Sequence, residues 1–255
     1  MTDKSAEKPA EKPAPAARKR KPKVVEAPPP KPARWRVAGK WALRGLGGLA
    51  AFYAVLILLF SFLPPPINLY QIGEAWRLGG IKKDWVSFEE IAPVMGRSAV
   101  AAEDANFCNH WGFDMAAIRQ AIDEGSNRGA STISQQVVKN VFLWHGRSYL
   151  RKAMEAVLTP VVELVWSKRR VLEVYLNVAE FDEGVFGVQA AARHYFGVDA
   201  GDLSALQAAR LAAVLPDPKG RDAANPSGFV RGRTRSIISG AETIAADGRS
   251  ACFEG

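Results

Sequence analysis

Apolar and polar positions divide this chain into three regimes. Up to about Lys31 large apolar residues are almost absent; from Gly45 to Leu63 there is no charge at all; after the three prolines Pro64, Pro65 and Pro66, apolar residues return in short blocks. Their spacing in those blocks is three and four, with little alternation at period two, which predicts helices joined by short loops. Ser87-Phe88-Glu89-Glu90 fits a capping box on a short turn. Pro93 is placed to open a helix as its first residue, ending at Glu103. Asp114 is the predicted N-cap of a helix to about Glu124, and Ser131 of one to about Phe142. Ser148 precedes YLRKAMEAVLTPVVELVW, with Leu150, Val157, Leu158, Val161, Leu164 and Val165 at helical spacing and a kink expected at Pro160. Ser167 caps KRRVLEVYLN, another helix starts near Gly187, and LSALQAARLAAVL is closed by Pro216 and Pro218. Beyond Pro226 the pattern fades.

The uncharged run GLGGLAAFYAVLILLFSFL matches the roughly 20 apolar residues that a bilayer crossing requires. Charge changes the picture on its N-terminal side. The net +8 of the chain suggests a nucleic-acid binder until it is divided by position: residues 1–44 hold thirteen of the 34 Lys and Arg but four of the 26 acids. The remainder is close to neutral, and nucleic acid loses its support. With the basic excess immediately before the span, the positive-inside rule puts the N-terminus in the cytoplasm and the rest outside. A cleaved signal peptide fits less well, because the charged region is long and no A-x-A site follows. The expected organisation is a disordered basic tail (1–40), a transmembrane helix (41–66) and one domain (67–255).

Two stretches carry candidate chemistry. In AVAAEDANFCNHWGFD the acid pair Glu103 and Asp104 ends an apolar run, where negative charge opposes the helix dipole by about 0.3–1 kcal/mol. A solvated helix end and a functional acid pair fit this spacing equally. In RGASTISQQVVKNVFLW small hydroxyl residues lead into Gln135, Gln136, Lys139 and Asn140. Between Lys139 and Arg170 seven basic residues face only Glu155 and Glu163. A solvated face accounts for such a cluster, and an i,i+4 pair between Arg151 and Glu155 would be worth only about 0.2–0.5 kcal/mol. Its combination with the paired amides also suits a pyrophosphate, which needs several cations held together. Three histidines and two distant cysteines give no metal-binding spacing, and Cys108 and Cys252 are expected as free thiols.

Five motifs stand in order: E-D-x-x-F-x-x-H-x-G-x-D (103–114), G-A-S-T-I-S-Q-Q-x-x-K-N (129–140), R-K-x-x-E (151–155), K-x-x-x-L-E-x-Y-L-N (168–177) and F-G-V-x-A-A-A-x-x-Y-F-G (186–197). Together they resemble the biosynthetic peptidoglycan glycosyltransferases (glycosyltransferase family 51) over about 85–218. The run around Trp144 to Lys152, one span and no room for a transpeptidase domain resemble the monofunctional members. Ser134 stands where the family usually has Thr, and Gln207 where Glu is common. The resemblance implies an all-α, bilobal, lysozyme-like domain after a single N-terminal transmembrane helix. It also implies polymerisation of lipid II into glycan strands, with inversion and release of undecaprenyl pyrophosphate, in the periplasm at the bacterial inner membrane. Glu103 would be the base, supported by Asp104. Lys139, Arg147, Arg151 and Lys152 would bind phosphates, while Glu155, counted with the catalytic acids, would orient these cations or stabilise charge around the reacting centre. Ser131, Gln135 and Gln136 would hydrogen-bond sugar or phosphate oxygens, while Glu173 and Asn177 would hold the cleft together. A Mg or Mn ion on the donor pyrophosphate is compatible, though no ligand set is visible. The expected partners are lipid II, the lipid-linked glycan, the membrane and cell-wall synthesis proteins. Leu69, Ile72, Trp76 and Trp85, beside Lys82 and Lys83, are expected at the bilayer surface. A lysozyme-like lytic transglycosylase or hydrolase would share the helical fold and one essential Glu without needing the basic cluster, and a membrane-tethered scaffold would need neither.

Overall fold

A computed structural model describes residues 34–123, 131–146 and 148–255. Most of the tail expected to be disordered lies outside these residues, as do Gly129 and Arg147. The chain forms two compact units, 1–46 and 47–255. In the first, helix α1 (Arg34–Phe60) begins, and the Arg44 guanidinium stands 5.1 Å from the Trp41 ring centre. Within α1 the stretch Val37–Phe60, of mean hydropathy 2.0, is long and apolar enough to cross a membrane.

In the second unit the end of α1 is tied down by donors. Trp166 Nε1 donates to the Ile57 carbonyl at 2.8 Å, and the Arg170 guanidinium donates to the carbonyls of Phe60 and Leu63 at 3.0 and 2.6 Å. Terminal carbonyls of a helix have no partner within it, so a cation placed there satisfies both hydrogen bonding and dipole. Helix α2 (Leu69–Leu78) follows, opened by a capping box between Asn68 and Gln71 and closed by Gly79 in the left-handed region. Its apolar side, Leu69, Ile72 and Trp76, is exposed, Trp76 to 87%. Trp85 departs from that expected surface: it is half-buried, with the Arg170 guanidinium 5.5 Å from its ring centre.

The core is built from α3 (Pro93–Glu103), α5 (Ile133–Phe142), α7 (Lys168–Val178), α8 (Val188–Phe196) and α9 (Ala205–Val214), with α4 (Met115–Asp123) and α6 (Tyr149–Val165) on its margin. Pro93 opens α3, and Asp114, Ser148, Ser167 and Gly187 stand at the helix starts read from the sequence. One cap moves: Thr132, not Ser131, accepts from Gln135 N–H and opens α5, leaving the Ser131 hydroxyl 3.4 Å from Lys152 Nζ. Helix α6 continues through Pro160 without a break. Gly112, at φ 82°, is required by space as well as conformation, since a Cβ there would lie 2.5 Å from Thr159 Cγ2.

Three features were not read from the sequence. A small sheet, β1 (Lys82–Lys83), β2 (Glu180–Asp182) and β3 (Val185–Phe186), has order β1-β3-β2 with β1 parallel and β2 antiparallel to β3. Its strands are too short to show a period. Helix α10 (Gly228–Ala246) packs on α3 and α9 through Val230, Thr234, Ile237, Ala241 and Ile244. Those inward positions keep helical spacing, but Thr and Ala among them dilute the apolar signal. Finally, α11 (Ala251–Glu254) returns to the turn Phe107–Asn109 and joins Cys252 to Cys108 in a disulfide, with Cα atoms 5.7 Å apart. This corrects the expectation of free thiols: the pair is 144 residues apart in sequence, and only the fold brings the two together.

Arg170→Ala is expected to destabilise the protein by about 1.5–3 kcal/mol, the usual worth of hydrogen bonds from a charged donor. Urea unfolding of the detergent-solubilised protein measures this, and an unchanged midpoint would mean that water serves those carbonyls equally well.

Candidate active site

Glu103 and Asp104 end the same helix and face different surroundings. Both Asp104 oxygens are engaged: Oδ1 lies 2.8 Å from His110 Nε2, and Oδ2 accepts from the Ile133 N–H at 3.0 Å. Ile133 is the first residue of α5, so its amide has no partner in its own helix and needs an acceptor from elsewhere. Asp104 thereby fixes the start of α5 to the end of α3. Three residues into α5, Gln136 Nε2 donates to Glu103 Oε2 at 2.9 Å.

Glu103 lines a cleft of about 950 Å³ with Ser131, Gln136, Lys139, Arg221 and Arg233. Its carboxyl is largely buried, and burial raises its pKa above the ordinary value; Gln136, Arg233 and Arg221 act in the opposite direction. Arg233 Nη2 is 3.9 Å from Glu103 Oε1 and donates to the Ala102 carbonyl at 3.0 Å. Arg221 donates to the Ala213 carbonyl at 2.8 Å, and its guanidinium lies 5.1 Å from the Phe229 ring centre. Arg221, Arg233 and Phe229 were missed because they lie beyond the motifs, on or beside a helix whose pattern is weak. Clustered arginines at 231, 233 and 235 were the available signal.

Lys139 lies on the same cleft and on a second pocket of about 220 Å³ that includes Asn140, His145 and Tyr175. Burial lowers its pKa, and no hydrogen bond or ion pair holds its ammonium among the described residues. His145, stacked on Tyr70 at 3.9 Å, is pushed down to about 4 by burial and by the Lys139 charge, so it is neutral at neutral pH. Tyr175, fully buried, is held well above the usual phenol value by burial and by Glu103 and Asp104.

Arg151, Lys152 and Glu155 form a separate unit. Glu155 is 2% exposed and lies between Arg151 Nη1, at 2.7 Å, and Lys152 Nζ. The pair is therefore not an exposed one: a carboxylate is buried against two cations and orients both. Arg151 is further fixed by a 3.0 Å bond from Nε to the Gly146 carbonyl. The charges of this unit and of Glu103 all act on Lys139, which stands between the two groups electrostatically. Gln135 does not face the cleft; its Oε1 accepts from the Thr132 N–H at 3.1 Å in the capping box. Asn177 bonds both backbone groups of Val86 at 2.9 Å and so ties α7 to the segment before α3. Among the described residues no group of three or more His, Cys, Asp or Glu side chains is placed to hold a metal ion.

The family model described as Transglycosylase matches residues 71–242. The chain is 62% identical over 214 residues to a biosynthetic peptidoglycan transglycosylase of Jannaschia sp. (strain CCS1), covering 84% of this chain and 90% of the relative. It is 48% identical over 210 residues to proteins of that name from Yersinia pseudotuberculosis serotype O:3 (strain YPIII) and Yersinia pestis (strain Pestoides F), covering 78% of this chain and 87% of each relative.

If burial sets the Glu103 pKa, the acid limb of the pH–rate profile lies above the ordinary glutamate value of 4.5. If Glu103 serves as a base, its ionised form is the active one, and the rate falls as pH drops through the raised value. Gln136→Leu and Arg233→Ala each remove a group that favours ionisation, and both are expected to move the limb to higher pH, Gln136→Leu the further. A limb that moves down in either variant would contradict this electrostatic assignment.

Proposed function

Because this chain belongs to the transglycosylase family and is a peptidoglycan transglycosylase, we propose that its substrates are lipid-linked disaccharide-peptides, with the growing glycan on undecaprenyl pyrophosphate as donor and lipid II as acceptor. The observation that carries this reading is the shared cleft of Glu103, a largely buried acid, and Lys139, a partly buried lysine with no ion pair among the described residues. Acid and cation match the two demands of the reaction. Glu103 takes the proton of the acceptor 4-hydroxyl as that oxygen attacks the donor anomeric carbon. The bond from that carbon to the pyrophosphate oxygen breaks on the opposite face, its electron pair leaves with the pyrophosphate, and an α link becomes a β-1,4 link. A pyrophosphate leaves as an anion and needs charge rather than protonation, whereas the sugar oxygen in a glycosidase needs an acid. Lys139, with Arg151 and Lys152 oriented by Glu155, supplies that charge; Arg147, in the run from Trp144 to Lys152, lies outside the described residues.

Ser131 and Gln136, which line the cleft, bond sugar or phosphate oxygens; Asp104 acts by position, through α5. A lytic transglycosylase or hydrolase has no use for this set of cations, and the cleft therefore favours transfer from a diphosphate. For a Mg or Mn ion the described residues offer no ready cage: both oxygens of Asp104 and of Glu155 already have partners. Any such ion comes with the diphosphate, and no step is routed through it. The span, the exposed face of α2 and the exposed Leu150, Val157 and Leu164 of α6 keep the domain at the surface where lipid-linked substrates reside. The orientation that follows from the basic N-terminus is cytoplasmic tail and periplasmic domain, at the bacterial inner membrane beside other wall-synthesis proteins.

Glu103→Gln is expected to cut glycan polymerisation from labelled lipid II, read on a gel, by about 10²–10⁴-fold, the usual worth of a positioned base. Its thermal midpoint at neutral pH should not fall, because a carboxylate whose pKa is raised by folding costs stability once ionised. Polymer at near wild-type rates would remove Glu103 as the base. Lys139→Ala, by contrast, is expected to weaken binding of a phosphoglycolipid inhibitor by about 10–100-fold, as lost charge-assisted bonds to phosphate imply, while Glu103→Gln spares it. Equal affinities in wild type and Lys139→Ala would place the phosphate site elsewhere.

A further inference from the structure

Residues after 242 lie past the span matched by the family model, yet they are fastened to the loop that follows Glu103. Cys252 is bridged to Cys108, Arg249 Nη1 donates to the Ala105 carbonyl at 3.0 Å, and the Phe253 ring packs on Phe107 with centroids 6.4 Å apart. Helix α11 is also held from behind, independently of the bridge. The Phe253 carbonyl accepts from Arg169 Nη1 at 3.0 Å, and Glu254 Oε1 lies 3.6 Å from Arg97 Nε. Phe253 is 1% exposed and lies against Gly96 of α3. The C-terminal segment is thus a fixed post, and the loop is what it restrains.

That loop holds the two groups on which the Glu103 geometry depends. Asp104 receives the α5 amide and His110 meets Asp104 from the far end of the same loop. If the loop shifts, the amide loses its acceptor, α5 is freed at its first turn, and Gln136 moves relative to Glu103. We propose that the Cys108–Cys252 bridge, together with Arg249, is a positioning latch for the base: it holds residues 104–110 in the one arrangement in which Asp104 fixes α5 and Gln136 reaches Glu103. The inference rests on Glu103 acting as the base. The bridge forms when the two thiols give two electrons and two protons to the disulfide of a dithiol oxidant, which leaves as the dithiol. An oxidising compartment outside the cytoplasm permits this.

The test uses the full-length protein in detergent, as oxidised wild type, as wild type reduced and alkylated, as Cys108→Ser/Cys252→Ser, and as Arg249→Ala. The oxidised protein is expected to show no free thiol on denaturation. In the bridge-free forms, amides of 104–110 are expected to exchange at least about tenfold faster while those of α9 do not change. Turnover should fall by about 10–100-fold with KM little altered, as a small misplacement of a reacting group implies, and the acid limb of the pH profile should move. Arg249→Ala should show the same changes in smaller measure with the bridge intact, which keeps the test open if the double variant folds poorly. Two free thiols in the wild type would overturn the proposal. So would bridge-free enzyme, assayed well below its melting temperature, with unchanged turnover, pH limb and loop exchange, since the bridge would then stabilise without positioning. A wild type that makes no polymer would count against the proposed function alone, because loop exchange still decides whether the latch exists.

Discussion

Asp104 hydrogen-bonds two neighbours at once, the His110 ring and the first amide of α5, and the site's geometry depends on this pair of hydrogen bonds. An unpartnered amide at a helix start is a strong donor, and a carboxylate is its best acceptor. The junction of α3 and α5 is therefore held by a charge-assisted bond in addition to their shared apolar core. Its neighbour Glu103 is largely shielded from solvent and, among the described residues, accepts one hydrogen bond, from Gln136, with Arg233 3.9 Å away. Adjacent carboxylates with different surroundings take different work: one holds architecture, the other remains able to exchange a proton.

The cations are sorted by the same logic. Glu155 is buried between Arg151 and Lys152, so those two are already partly neutralised and their positions set. Lys139 has no such counter-ion among the described residues, and burial disfavours its charge. Of these three cations Lys139 is thus the one least neutralised by its neighbours among the described residues, while Arg151 and Lys152 are held in place by Glu155.

Two departures from the family pattern have physical explanations. Gln207 is the third residue of α9, where its Oε1 accepts from the Ser204 N–H at 2.9 Å in a capping box, a place in which Gln serves as well as Glu. Ser134 uses its hydroxyl as donor to Glu163, which Lys168 Nζ meets at 2.8 Å, so the hydroxyl is what the position needs.

Much of this was legible from residue order. Helix starts at Pro93, Asp114, Ser148 and Ser167 follow from local chemistry: a ring that lacks an N–H, or a short side chain that accepts from an orphan amide. The span follows from a run of uncharged residues, and the acid pair, the amides and the basic cluster are picked out by five motifs in order. What sequence could not supply depends on elements distant in the chain. The choice of Thr132 over Ser131 as cap turns on the packing around α5. The division of labour between Glu103 and Asp104 requires knowing where the α5 amide points. The arginines of the cleft belong to α10, whose inward face includes Thr and Ala and so hides its period. The pairing of Cys108 with Cys252 exists only because α11 returns to the turn beside Glu103, a contact across 144 residues that tertiary packing alone decides.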